Sequence, residues 1–140
     1  MNRSDTLQSL GQLIGRLLIG LLFLAAARSH SANFYFPYLF PGTSSSPEVP
    51  FPFAYVLEIC AGLMLIGGWK TRYAAWTLIF YTIGLTLIFH GISGYDDLQF
   101  SDELSHVMKN LGVVGGLAYI AAYGGGAFSF DASGARGKNQ

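Results

Sequence analysis

The chain has 140 residues, 51% of them hydrophobic and only 11% charged, with a formal net charge of zero. A soluble domain carries about a quarter charged residues, so much of this surface is not expected to face water, and the balanced charge speaks against a nucleic-acid partner. The single cysteine, Cys60, excludes an intrachain disulfide and the paired-cysteine relay of membrane thiol oxidoreductases.

The first apolar run spans residues 10–27. Arg3 precedes it, and the alanines at 25–27 resemble a signal cleavage site, but the run is long for the apolar core of a secretory signal. It is therefore expected to be a membrane helix, which needs about 20 mostly apolar residues. Residues 28–52 follow. They hold all five prolines, from Pro37 to Pro52, and a dense set of aromatics: Phe34, Tyr35, Phe36, Tyr38, Phe40 and Phe51. Proline lacks the amide donor and aromatics favour the membrane–water interface. This stretch is expected to be an interfacial loop on the outer side. A second span is expected at 53–68, short enough to need local bilayer thinning, a third at 74–90 and a fourth at about 105–123. These runs are apolar on every face rather than along one stripe, which argues against a soluble bundle. The expected architecture is all-α: a four-transmembrane-helix bundle in a single membrane domain, 1–140.

Orientation follows from the basic residues. With both termini in the cytoplasm, Arg3, Lys70, Arg72, Arg136 and Lys138 collect inside, with Arg16 snorkelling toward them, while Arg28 and Lys109 fall outside. Gly11 with Gly15, and Gly112 with Gly116, form small-xxx-small pairs that would let helices approach closely.

Polar groups within spans are costly and are functional candidates by default. Glu58 in the second helix, His90 at the end of the third, His106, Lys109 and Asn110 early in the fourth, and Arg28 at the end of the first all fall near the outer level. Thr82, Thr86 and His90 recur every four residues and share a helix face, as do His106, Lys109 and Asn110. Two readings stay open. Carboxylate, ammonium and imidazole together would bind a polar head group or move protons; alternatively, Glu58 and Lys109 pair to offset burial, and the threonines bond their own helix carbonyls. Glu58, His90 and His106, with Asp102 and Glu103 just before the latter, are acceptable metal ligands. No tight His-x-x-His or Glu-x-x-His pair occurs, so no metal site is expected. Cys60 is read as a small buried packing residue. On the inner side Arg16, Arg72 and Asp131 are expected to form a structural cluster that fixes the tail, after the glycines at 124–126 have stopped the fourth helix.

Taken in order, the stretch Arg16 to Phe23, Leu57-Glu58 through Gly62 to Gly68, Thr71 to Ala75, His90, then His106, Lys109-Asn110, Gly115-Gly116 and Ser129-Phe130-Asp131 resemble the DoxX family of small membrane proteins over most of the chain. The chain departs from that pattern with alanines at 25–27 and then Arg28, where glycine followed by lysine is common. It also lacks a proline among the glycines before Ser129. The resemblance implies a four-helix bundle in the bacterial cytoplasmic membrane and a link to redox or quinone biology. On that basis the leading expectation is a component of a membrane redox system that meets a quinone or another small amphiphile. Glu58 and His90 would handle protons, with Arg28, Thr86, His106, Lys109 and Asn110 lining the ligand site. A protein redox partner is a further expectation. The alternatives are a non-catalytic subunit that anchors partner proteins and, less favoured in four short helices, a small-molecule transporter. No flavin, nucleotide or haem motif assigns a redox centre.

Overall fold

A computed structural model describes residues 3–39, 52–89 and 97–137. Among these residues it contains five helices and no strand: α1 (Arg3–Leu39), α2 (Pro52–Gly67), α3 (Thr71–Phe89), α4 (Asp97–Tyr123) and the short α5 (Phe130–Gly137). The four longer helices pack in a ring, α1 on α2, α2 on α3, α3 on α4, and α4 back on α1.

The centre of this ring interleaves alanines with larger apolar side chains. Ala27, Ala61, Ala74, Ala75 and Ala121 are buried together with Phe23, Leu65, Leu78 and Leu117. Large apolar side chains point outward on every helix, among them Leu18, Leu63, Phe80, Leu87 and Leu111. Two of the buried side chains, Arg16 and Glu58, are charged types that a water-soluble protein would place at its surface. By length and composition the segment Ser4–Arg28 of α1 is apolar and long enough to cross a membrane, while Phe53–Gly67 is apolar but shorter.

Several boundaries differ from the expected ones. α1 continues to Leu39, eleven residues past Arg28, and α4 begins at Asp97 rather than near residue 105. In both places hydropathy ended the expected span, but nothing in the backbone chemistry of 28–36 or 97–104 ends a helix, since neither stretch holds proline or glycine. At about 1.5 Å per residue, a helix of α1's length outruns the roughly 30 Å hydrocarbon core of a bilayer. The remainder of the expected loop, residues 40–51, lies outside the described residues, as does His90.

The expected glycine contacts are also redistributed. Gly11, Gly15 and Gly112 have open space where a Cβ would project. Gly116 does face α1, where a Cβ would come within 2.8 Å of Ile19 Cδ1. The closest crossing is made by Gly20 and Gly62: a Cβ at Gly20 would lie 3.0 Å from the Gly62 carbonyl and 2.6 Å from Ile66 Cγ1. Absence of both side chains lets α1 and α2 touch backbone to backbone. Cys60, expected to be buried, is exposed on α2; Ala61 and Gly62, the next two positions round the helix, take the buried face instead.

Candidate functional site

Two groups of polar side chains lie within the ring. The first is held by α2, α3 and α4. Glu58 lies six residues into α2 and is 2% exposed. The Tyr81 hydroxyl of α3 donates a hydrogen bond to Glu58 Oε1 at 2.6 Å, short enough to be among the stronger hydroxyl–carboxylate contacts. One residue on, the Thr82 hydroxyl is buried without a hydrogen-bond partner among the described residues. A turn further, the Thr86 hydroxyl donates to the Thr82 carbonyl at 2.7 Å and accepts from Asn110 Nδ2 of α4 at 2.9 Å. Glu58–Tyr81 therefore ties α2 to α3, and Thr86–Asn110 ties α3 to α4.

Of the expected outer-site residues, Glu58 is buried and Thr86 and Asn110 are half-buried and bonded to each other. Arg28, His106 and Lys109 sit on exposed faces of α1 and α4. Tyr81 is the residue that sequence reasoning missed. It was legible as a phenol within an apolar span, one of few hydrogen-bonding groups there, but its periodicity places it off the Thr82–Thr86 stripe.

The second group closes the opposite end of the ring. Arg16 is fully buried, about three turns into α1. Its guanidinium, expected to snorkel toward inner-side water, lies among carbonyls. Nη1 donates to the Leu65 carbonyl at 3.3 Å and Nη2 to the Phe128 carbonyl at 2.7 Å. Leu65 is near the end of α2, where carbonyls lack helical partners and the helix dipole favours a cation. That end is turned by Gly68 at φ +71°, with Gly68 N–H donating to Leu65 O and Trp69 N–H to Met64 O, the paired bonds of a left-handed glycine cap. A Cβ on Gly68 would strike both the Arg16 guanidinium and Ser129 Cβ, so position 68 needs glycine for space as well as for φ.

Asp131 then caps α3 from a distance. Lys70, with its backbone in the left-handed region at φ 46°, precedes the helix and cannot supply a side-chain cap. Asp131 Oδ1 accepts the Lys70 N–H at 2.7 Å, and Oδ2 accepts the Thr71 N–H at 2.9 Å and the Thr71 hydroxyl at 2.7 Å. The segment itself is held by Ser129, whose hydroxyl donates to Gly126 O and accepts the Ala132 N–H at the start of α5. Of the expected inner cluster, Arg16 and Asp131 thus act through backbone groups of other elements. Arg72 is exposed, beside Gly124. Thr71 and Ser129 were not singled out as site residues from the sequence; a serine before a short helix was the available signal.

Burial pushes the Asp131 carboxyl up, but the hydrogen bonds from Thr71 and Lys70 and the charge of Arg16 outweigh it and hold the pKa below the ordinary carboxylate value. A depressed folded-state value means that the group stabilises the fold above its unfolded pKa, about 3.9. That contribution is lost as pH falls through the lower folded value. Asp131→Asn should remove this acid-dependent component, and Asp131→Ala should cost about 1 kcal/mol, as other lost helix caps do. Thermal unfolding in detergent from pH 7 down to pH 3 would check both; an unchanged acid profile in Asp131→Asn would contradict the capping role.

A family model described as DoxX matches residues 11–91, more than half of the chain. The inner membrane protein YqjF of Escherichia coli K12 is 28% identical over 127 residues, covering 89% of this chain and 92% of that protein. The inner membrane protein YphA of the same organism is 30% identical over 129 residues, covering 85% of this chain and 86% of that protein. No solved structure gives a significant match.

Proposed function

Because this chain belongs to the DoxX family of integral membrane proteins, we propose that it forms a single membrane domain. Its four long helices cross a bacterial inner membrane with both termini in the cytoplasm, and it holds a quinone or similar small amphiphile at the Glu58 level. Support for the four crossings comes from the inverted polarity of the ring, with leucine and aromatic side chains outward and Arg16 and Glu58 inward. The orientation rests on Lys70 and Arg72 at one end of the ring, together with the lysine and arginine the sequence carries near its termini.

The observation that carries the ligand reading is the buried Glu58 carboxylate bonded to the Tyr81 phenol. A carboxylate in this position is expensive in a bundle that leucine could fill, and a carboxylate–phenol pair is suited to exchanging a proton with a bound oxygen. Thr82 supplies a hydroxyl with unused hydrogen-bonding capacity beside it; Thr86 and Asn110 continue the polar track toward α4. Arg28, His106 and Lys109 would attract the ligand's polar end at the rim, and His90 would join the proton route. In this role the protein binds and protonates, while electrons come from a separate redox partner protein.

Solvent extraction of the protein purified in mild detergent, followed by mass spectrometry, tests the proposal. About one quinone-class molecule per chain is expected in the unaltered protein. A chain that co-purifies stoichiometrically with another protein and carries no small amphiphile would favour the anchoring role instead.

A further inference from the structure

The end of the ring that holds Lys70 and Arg72, the inner one in the orientation proposed above on which this inference rests, carries a pocket that the Glu58 reading does not use. Lys70, Arg72 and Tyr73 at the start of α3, Gly124 and Gly126 after α4, and Asp131 line an open pocket of about 430 Å³. We propose that this pocket binds the phosphate headgroup of an anionic phospholipid from the surrounding inner leaflet.

Three features favour a phosphodiester there. First, the carboxylate in the lining is already engaged. Asp131 meets Lys70 through the backbone N–H and spends its remaining bonds on Thr71. The Lys70 ammonium instead lies 5.5 Å above the Trp69 ring, and the Arg72 guanidinium is exposed beside Gly124. Second, Gly124 adopts left-handed backbone at φ +79°, and the absence of a side chain there lets the Arg72 guanidinium lie along the pocket wall, where a Cβ on Gly124 would come within 3.4 Å of its Nε. Third, the pocket sits within a collar of exposed aromatics: Trp69 is 57% exposed, Tyr73 73%, Tyr123 58% and Phe130 69%. Such rings favour the headgroup level of a bilayer. From the pocket an apolar track runs along α3 through Trp76 and Phe80, whose rings stack at 5.9 Å, and along α4 through Tyr119, packed 4.6 Å from Tyr123. A headgroup in the pocket would lay its acyl chains on that track. Basic pockets between membrane helices on the cytoplasmic side recognise anionic headgroups in this way.

The test compares phosphatidylglycerol with phosphatidylcholine of the same chain length, titrated onto the detergent-purified protein and read by native mass spectrometry and thermal shift. Phosphatidylglycerol should bind preferentially and raise the unfolding temperature. Lys70→Gln with Arg72→Gln should weaken its binding about thirtyfold, roughly fivefold for each cation lost near the surface. The charge-preserving pair Lys70→Arg with Arg72→Lys should retain most of the preference. Equal binding of the two lipids by the unaltered protein, or an unchanged preference in the double glutamine variant, would overturn the proposal. The two-lipid comparison decides the matter even where that variant does not fold. Glycerol 3-phosphate serves as a soluble control: binding as tight as the lipid's would make a free phosphate ester the ligand and overturn the lipid assignment.

Discussion

Replacing Arg16 by methionine is expected to destabilise the protein by about 2–4 kcal/mol and to loosen the segment that follows α4. Methionine replaces the apolar stem but stops short of the guanidinium and donates nothing. The Phe128 carbonyl loses its 2.7 Å donor, and the Leu65 carbonyl keeps only the Gly68 N–H at 3.2 Å. A hydrogen bond from a charged group contributes about 1.5–3 kcal/mol. Against this, the buried guanidinium no longer has to be held out of water, which offsets part of the loss. The balance remains unfavourable because Asp131 also loses a neighbouring positive charge. Arg16→Lys should fall between the two: an ammonium is a point charge and does not reproduce the planar fork that meets two carbonyls at once. Thermal unfolding in detergent and limited proteolysis after Tyr123 are the measurements. A methionine variant as stable and as protease-resistant as the parent would show that the fork between α2 and the tail contributes nothing.

Replacing Glu58 by glutamine should instead abolish function with little loss of stability. Glutamine has nearly the same shape, and its amide oxygen can still accept the Tyr81 hydroxyl, so the expected cost is about 1 kcal/mol or less, the value of a charged bond exchanged for a neutral one. Lys109 is exposed, so neutralising Glu58 strands no buried ammonium at that position. What glutamine lacks is the ionisable group, and a proton-handling site depends on it. Complementation of a redox-stress phenotype in a deletion strain should fail, while the unfolding temperature stays close to that of the parent. Loss of stability with normal activity per folded molecule would mean that Glu58 only supports the fold. Normal stability with normal complementation would remove it from the site.

The all-helical class could be read from hydropathy because each long helix contains an apolar run. The helix ends could not. Polar residues such as Ser29 and Asn33 end an apolar run without ending a helix, and α1 continues through them. Depth along a helix identified Glu58 as a buried candidate, and four-residue spacing placed Thr86 near the polar level of α4, where Asn110 meets it. Spacing within single helices says nothing about which face meets which neighbour. Tyr81 therefore stayed invisible as the partner of Glu58, and Gly20 as the partner of Gly62. At the end of the ring that holds Lys70, Arg16 and Asp131 were recognisable as a pair of opposite charges. Their use of carbonyls and amides follows from helix-end geometry, where the orphaned groups of α2 and α3 offer closer partners than the opposite charge does.

Infrared difference spectroscopy of the purified protein, recorded on adding a short-chain ubiquinone analogue, tests most directly whether Glu58 is a proton-handling group at a ligand site. The expected result is a carboxyl C=O band that shifts or changes intensity on binding, moves on transfer to deuterium oxide, and is absent in Glu58→Gln. A spectrum without any carboxyl change, or one in which the same change persists in Glu58→Gln, would contradict it.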